Sequence, residues 1–165
     1  MTTTLRNISL DSPAFEHGQP IPKRYTADGE DLSPPLKWSD PPVGTKELAL
    51  IVDDPDAPTS DPWVHWVIYK LPPTLRQLPE GLPRQLTITT GPAAGALQGH
   101  NSWSKPGWNG PSPPKGHGTH HYHFRIYALD KPLQISSDLS KKSVLAAMKG
   151  HVIGEGELIG TYERK

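Results

Sequence analysis

The stretch Asn109-Gly-Pro-Ser-Pro-Pro-Lys-Gly-His-Gly-Thr-His-His-Tyr-His123 joins a loop rich in proline and glycine to the start of a strand. Its prolines fix φ and remove backbone donors, so neither a helix nor a central strand can run through the loop. From residue 120 onward, the two-residue period of a strand places five side chains on one face: His120, Tyr122, Phe124, Ile126 and Ala128. Because that face begins polar and continues apolar, the pattern predicts a core strand with an imidazole and a phenol at its open end.

The segments on either side of this stretch also have the patterns of strands. Residues 47–52 are a short apolar run, typical of a strand that is covered on both faces. Over residues 63–71 both alternating faces are apolar, and His65 shares one of them with Trp63 and Tyr69. A closing strand interrupted by glycines is predicted over residues 153–162. Shorter strands are predicted at residues 5–10, at residues 86–89 and, joined by ordered loops, between residues 21 and 38.

The remaining segments predict one helix and one long loop. The helix is expected over residues 139–149, with Asp138 or Ser140 as its N-cap and Gly150 after its last turn. Its predicted apolar stripe consists of Val144, Leu145 and Met148. The loop covers residues 91–108, and its two tryptophans favour an ordered, functional loop over a disordered one.

The composition indicates one mostly β domain, residues 1–165. The 20 prolines and 15 glycines favour many turns over long helices. The 17 basic residues balance the 17 acidic ones, so we expect neither nucleic acid nor an anionic membrane as a partner. The chain has no cysteine, which excludes disulfides and thiol catalysis and favours a reducing compartment, the cytoplasm. No apolar stretch approaches the length of a membrane span.

A turn with three carboxylates, Asp53-Asp-Pro-Asp-Ala-Pro58, follows the apolar run at residues 47–52. It has two interpretations. It is either a surface turn whose aspartates bond their own backbone, or part of a site in which enclosed carboxylates repel one another. His65 is similarly either a core histidine whose ring is hydrogen-bonded within the protein or a residue of the site, and the nearby acidic turn favours the second interpretation.

Four motifs occur in order along the chain: Asp54-Pro-Asp-Ala-Pro58, Trp63-Val-His65, Gly110-Pro-Ser-Pro-Pro-Lys-Gly116 and His120-x-Tyr122. With these motifs and its glycine-rich ending at residues 148–162, the sequence resembles the phosphatidylethanolamine-binding protein family over nearly its whole length. The closer resemblance is to the bacterial and archaeal Raf-kinase-inhibitor-like branch. The resemblance implies a Greek-key β-sandwich-like domain of two antiparallel sheets with one or two short helices. It also implies a small anion-binding pocket at one end.

The resemblance further implies which residues line this pocket. Carried over position by position, the expected ligand-binding residues are Asp54, Asp56, Pro58, His65, Trp108, Gly110, Ser112, Pro113, Pro114, His120 and Tyr122. Asp56 and Pro58 match rim positions. Two features depart from the family pattern. Trp108 stands where tyrosine is more common, and the segment between Asp56 and Trp63 is shorter than in animal members, so a pocket tyrosine of those members has no counterpart.

These residue types suit a small anion. Two imidazoles, a phenol and loop N–H groups can donate to phosphate, and an aspartate can either favour a charged imidazole or accept from the ammonium of ethanolamine. The chain has no cysteine nucleophile and no serine in a nucleophile elbow. We therefore predict a non-enzymatic protein without a cofactor, monomeric or homodimeric. It binds phosphate or a phosphoethanolamine-like ligand, and a kinase or protease that it regulates is the candidate protein partner.

Two other functions are compatible with the sequence. An Asp/His pair could hydrolyse a phosphoester by acid–base chemistry. The four histidines between residues 117 and 123 could bind a metal ion. However, alternation places His120 on the face opposite His121 and His123, so we expect no metal site there.

Overall fold

The computed structural model describes residues 5–135 and 139–165, which form nine β-strands and one α-helix. In chain order the elements are β1 (Arg6–Asn7), β2 (Leu10–Asp11), β3 (Leu36–Trp38), β4 (Glu47–Asp54), β5 (Trp63–Leu71), β6 (Gln77–Leu78), β7 (Leu97–Gln98), β8 (His120–Leu129), α1 (Lys141–Met148) and β9 (Val152–Tyr162). A 3₁₀ turn, Lys23–Tyr25, precedes β3. The mostly β fold class is thereby confirmed.

The strands form two sheets. The larger has the order β1-β9-β8-β4-β5-β7, and the smaller has the order β2-β3-β6. The neighbouring strands are antiparallel, except that β1 runs parallel to β9 at the edge of the larger sheet. The chain leaves that sheet directly after Ile8, whose N–H donates to the carbonyl of Glu155, and Leu10 already pairs with Trp38 in the other sheet. The single strand predicted over residues 5–10 is therefore divided between two sheets.

The central strands β4 and β5 are covered on both faces, as the apolar run predicted. On one face, Leu50 and Trp66 pack in the core between the two sheets. On the other, Ile51 and Val67 pack with Val144 of α1. Each fully buried aliphatic side chain contributes about 1.5–3 kcal/mol. This packing holds both strands firmly and so fixes the side chains at their ends.

The helix α1 is shorter than predicted and presents a narrower apolar stripe. Ser140 is its N-cap and accepts a hydrogen bond from the N–H of Ser143, while Asp138 lies outside the described residues. Gly150 follows with a φ of +84°, as expected for a helix stop. Val144 and Met148, four residues apart, point into the core, but Leu145 is 37% exposed. The prediction for Leu145 was wrong because one residue corresponds to a rotation of about 100° around the helix.

Residues 86–89 do not form the predicted edge strand. Only Thr87 makes a β-bridge, to Leu97. Ile88 is buried and its N–H donates to the carbonyl of Ala96, so the segment closes a compact loop instead of extending the sheet. Within the described residues, no helix is both long enough and apolar enough to cross a membrane.

Candidate functional site

Three neighbouring strands meet at one end of the six-stranded sheet and surround a cavity. Because β4 lies between β5 and β8 and is antiparallel to both, its last residue, Asp54, lies beside their first residues. The cavity has a volume of about 290 Å³, near the lower end of the range for small-molecule sites. Its lining consists of Asp54, Ala57, Pro58, Thr59, Trp63, His65, Trp103, Ser112, Pro113, Pro114, His120 and Tyr122.

Most of the site residues expected from the sequence lie on this cavity. Eight of the eleven are in its lining: Asp54, Pro58, His65, Ser112, Pro113, Pro114, His120 and Tyr122. The convergence of two histidines that are 55 positions apart follows from the strand order, which sets β5 and β8 on either side of β4. That these residues bind a ligand stays a prediction.

Trp108 and Gly110 lie one layer behind the cavity wall instead of on it. Trp108 is 1% exposed, and its ring stacks on Phe124 with centroids 5.8 Å apart, on the core side of His65. The N–H of Gly110 donates to the carboxylate of Asp31 at 2.8 Å, and any Cβ at this position would clash with that carboxylate. Both residues therefore shape the site from behind, which corrects their expected place in the wall.

Asp56 is also absent from the lining. Its carboxylate accepts hydrogen bonds from the backbone N–H and the ring Nδ1 of His121, at 2.8 and 2.7 Å. Partial burial of Asp56 acts to raise its pKa, but the two bonds from His121 act in the opposite direction and the pKa is lowered overall. The side chain thus ties the acidic turn to the start of β8 and faces away from the cavity.

Four lining residues were missed by sequence reasoning: Ala57, Thr59, Trp63 and Trp103. Trp63 shares a strand face with His65, so alternation could have identified it. Trp103 comes from the long loop over residues 91–108, where Asn101 accepts from its N–H and donates to the carbonyl of Gly107. The rings of Trp63 and Trp103 meet edge to face with centroids 5.5 Å apart. The sequence indicated an ordered loop but contained no signal for which tryptophan faces the cavity.

His65 is held in one tautomer by the backbone. Its Nδ1 lies 2.6 Å from the carbonyl oxygen of Asn109, and because a carbonyl can only accept, the ring proton must be on Nδ1. Burial lowers the pKa of His65 to about 4, against the opposing effects of the Asn109 carbonyl and Asp54. At neutral pH the ring is therefore uncharged, and its Nε2 is an acceptor.

His120 is the middle member of a hydrogen-bonded chain. Its Nδ1 lies 2.6 Å from Oδ2 of Asp54, and its Nε2 lies 2.6 Å from Nδ1 of His117. His120 and Asp54 are both buried, whereas His117 is exposed on the proline–glycine loop. The other oxygen of Asp54 accepts the backbone N–H of Asp56 at 2.8 Å. Both ring nitrogens of His120 therefore already have partners within the protein.

Tyr122 supplies the phenol of the cavity. Its ring is 1% exposed and meets His65 edge to face, with centroids 5.0 Å apart. Burial raises the pKa of Tyr122, and the nearby carboxylate of Asp54 raises it further. The hydroxyl keeps its proton at any ordinary pH and can donate it to a ligand.

Both interpretations of the acidic turn, as a self-bonded turn and as part of a site, apply to Asp54. Asp54 makes the local side-chain-to-backbone bond typical of an Asp-Pro turn, and it also lines the cavity. Asp53 lies on the other face of β4, where it accepts from Lys141 at 2.6 Å and from Arg125 at 3.4 Å. Alternation along the strand therefore separates two adjacent carboxylates into two environments.

The histidine cluster is divided as alternation predicted. His121 bonds Asp56 on the exposed side, and His123 lies 3.2 Å from Glu157 on the same face. Across the described residues, no three His, Cys, Asp or Glu side chains are grouped so that they could hold a metal ion. That the protein binds no metal stays a prediction.

Known proteins resemble this chain over nearly its whole length. A family model described as phosphatidylethanolamine-binding protein matches residues 11–163. A UPF0098 protein of Methanothermobacter thermautotrophicus is 47% identical over 157 residues, which are 95% of this chain and 99% of that protein. A UPF0098 protein of Aquifex aeolicus is 41% identical over 158 residues, which are 95% of this chain and 89% of that protein.

Solved structures agree with the family model. The crystal structure of a phosphatidylethanolamine-binding protein homologue from Chlamydia trachomatis has a TM-score of 0.85 at 41% identity, covering 97% of this chain and 99% of that one. Escherichia coli YbcL, described as a member of the mammalian family, has a TM-score of 0.87 at 33% identity, covering 96% and 99%. By sequence and by fold, this chain belongs to the phosphatidylethanolamine-binding protein family.

Proposed function

We propose that this chain is a single-domain, non-enzymatic binding protein for a small phospho-ligand, either phosphate itself or a phosphoethanolamine-like molecule. The observation that carries the proposal is the cavity at the end of the six-stranded sheet, where Asp54, His65, His120 and Tyr122 meet. A concave site with mostly apolar walls and a few convergent polar groups is typical of small-molecule recognition. Its small volume favours a headgroup-sized ligand.

The two parts of the cavity suit the two parts of such a ligand. The phosphoryl group would lie against His65 and the hydroxyl of Tyr122, since buried phosphate oxygens need hydrogen-bonding partners to replace lost water. An organic or ammonium portion would lie against Trp63 and Trp103 at the rim, where the face of an indole attracts a cation. The carboxylate of Asp54 is a second acceptor for an ammonium group.

Binding is favoured over hydrolysis by the partners of His120. A general base must reach the proton that it removes, and the ring nitrogen opposite Asp54 faces His117, not a serine or a substrate position. Turnover of a phosphomonoester that is lost in His120→Ala would reverse this preference.

Family membership also supports a regulatory role toward a protein partner, with a kinase or a protease as the candidate class. The balanced charge of the chain supports a protein that does not bind nucleic acid, and the absence of cysteine supports a cytoplasmic location. We expect a monomer or homodimer. A pull-down that captures a kinase or protease, and that survives cavity substitutions, would separate this role from ligand binding.

Isothermal titration calorimetry with inorganic phosphate and with O-phosphorylethanolamine, in mildly acidic buffer, tests the proposed function. His65→Ala and Tyr122→Phe each remove a hydrogen bond to a charged ligand, worth about 1.5–3 kcal/mol, so affinity should fall roughly ten- to a hundredfold. His123→Ala is the matched control, because His123 bonds Glu157 on the opposite face of β8. Loss of affinity in all three variants alike, or in none, would overturn the assignment of the cavity.

A further inference from the structure

We propose that the cavity selects the protonation state of its ligand: it takes an oxyacid that still carries a hydroxyl, such as the monoanion of a phosphomonoester, and discriminates against phosphodiesters. The inference rests on the proposed function and names the ligand class of that same site. Its basis is that the N–H groups of both cavity imidazoles are committed to partners within the protein, so the ligand must bring the proton.

The first imidazole is His65. Its Nδ1 proton is fixed by the Asn109 carbonyl at 2.6 Å, which leaves Nε2 as the ring nitrogen available to a molecule in the cavity. In the uncharged ring this nitrogen can only accept. A ligand oxygen without a hydrogen would meet a lone pair there, whereas a P–O–H group would donate to it.

The surroundings of His65 keep this ring uncharged. The ring is buried against Trp103, Trp108 and Tyr122. Burial lowers its pKa to about 4, and neighbouring His120 lowers it further, although the carboxylates of Asp54 and Asp53 oppose this. At neutral pH, roughly one molecule in a thousand would carry the charged ring before ligand binds. Accepting a hydrogen bond from the ligand's hydroxyl leaves the ring neutral, and it therefore costs far less free energy than charging the histidine.

The second imidazole is His120. Its Nδ1 faces Asp54 and its Nε2 faces His117, both at 2.6 Å. If His120 is neutral, its one proton is directed to the carboxylate and His117 donates to Nε2. If His120 is charged, its second proton is directed to His117. In neither state does His120 offer an N–H to the cavity while His117 keeps its place.

The remaining polar groups of the cavity reinforce this selection. Tyr122 offers one hydroxyl donor, and Asp54 offers a carboxylate that repels a second negative charge. A fully deprotonated phosphate would therefore face one side-chain donor and two acceptors. A monoanion with one hydroxyl matches the set, because its hydroxyl donates to His65 and its charged oxygens accept from Tyr122. A phosphodiester has the same single charge but no hydroxyl.

Three small ligands test the proposal by calorimetry between about pH 5 and pH 8. Methyl phosphate loses its last ionisable proton near pH 6, and its affinity should be constant below that pH and fall about tenfold per unit above it. For methylphosphonate, which holds its last proton to higher pH, the fall should begin correspondingly later. Dimethyl phosphate should bind at least about tenfold more weakly than methyl phosphate at the acidic end.

A variant outside the cavity lining sharpens this test. His117→Ala should release Nε2 of His120, which directs an N–H toward the ligand whenever the ring is charged. At the acidic end of the pH range, the difference in affinity between dimethyl phosphate and methyl phosphate should therefore narrow. Lys115→Ala, an exposed neighbour on the same loop, is the control and should leave the gap unchanged.

The outcomes separate this proposal from the proposed function. A fall in affinity at the same pH for methyl phosphate and methylphosphonate would mean that a protein group titrates, and it would overturn the inference. So would equal affinity for dimethyl phosphate, or a gap that His117→Ala does not change. If methyl phosphate fails to bind saturably, or if His65→Ala leaves its binding unchanged, the proposed function itself is wrong.

Discussion

Asp53 and Asp54 are adjacent in sequence and equally buried, at 2% and 3% exposure, yet they have different kinds of partner. Asp53 is paired with Lys141 of α1 at 2.6 Å and with Arg125 of β8 at 3.4 Å, both permanent cations. Among the residues that the structure describes, the partners of Asp54 are the ring of His120 and one backbone N–H. Strand alternation sends the two carboxylates to opposite faces of β4.

The difference separates a structural role from a functional one. The ion pairs of Asp53 join α1 to two strands, and their charges do not change at ordinary pH. The side-chain partner of Asp54 is an imidazole, His120, whose other ring nitrogen is hydrogen-bonded to the exposed His117. The helix face of the sheet therefore holds the fold together, whereas the cavity face is where the proposed ligand would bind. Each prediction below contrasts the two faces.

The largest expected effect is a pH dependence of stability that originates in the cavity. The pKa of His65 is about 4 in the folded protein, against about 6.5 unfolded, so the unfolded chain takes up the proton first as pH falls. The contribution of His65 to the free energy of unfolding is fully present above about pH 6.5. It falls by about 3 kcal/mol as the pH is lowered from about 6.5 to about 4. Urea unfolding of wild type and of His65→Gln across this range should show a slope that the variant largely lacks. His151→Gln, at a partly exposed histidine paired with Asp130, should keep the slope, and equal slopes in all three proteins would contradict this account.

Next in size is the loss expected from breaking the ion pair on the helix face. Lys141→Met leaves Asp53 buried with the more distant Arg125 alone. Buried pairs cost about 3–5 kcal/mol to break, and because Lys141 is partly exposed we expect about 2 kcal/mol. Lys142→Met, at an exposed neighbour, should cost less than about 0.5 kcal/mol. Chemical denaturation measures both, and ligand affinity should be unchanged in Lys141→Met. Reduced phosphate affinity there would mean that the two faces are not independent.

The smallest effect is expected at the cavity carboxylate. Asp54→Asn keeps the shape of the side chain and removes a buried negative charge that no Lys or Arg of the described residues neutralises. This gain offsets part of the free energy lost with the bond to His120. We expect a loss of about 1 kcal/mol in unfolding free energy. Asp53→Asn is the counterpart and should cost more, because it leaves the two cations without their shared partner. Equal losses, measured under identical conditions, would remove the distinction between the faces.

Much of this arrangement could be predicted from the sequence. Because the period of a strand is two residues, the sequence patterns determine which side chains face which layer. These patterns are the apolar run of β4, the two apolar faces of β5 and the alternation that begins at His120. The resemblance to the family then supplied eight residues that line the cavity. Local pattern and motif together were sufficient to bring Asp54, His65 and Tyr122 to one place.

The rest depends on contacts between segments distant in sequence. Trp108 and Gly110 lie behind the wall because the loop that carries them packs against residues 25 and 31, which no local pattern indicates. The hydrogen-bond partners of the two imidazoles also come from loops: the carbonyl of Asn109 bonds His65, and His117 bonds His120. In two other places a local pattern was taken to decide more than it does. Leu145 was assigned to the buried stripe of the helix and residues 86–89 to an edge strand, but apolar residues alone decide neither the direction of a side chain nor the pairing of a strand.

The most direct test of the central claim is NMR observation of the eight histidine rings during titration with inorganic phosphate in mildly acidic buffer. The account predicts saturable shifts of the His65 and His120 ring signals with one common dissociation constant. The rings of His123 and His151, on other surfaces, should hardly shift. Shifts that spread over the exposed histidines without saturation, while the His65 signals stay in place, would show that the cavity is not a phosphate-binding site.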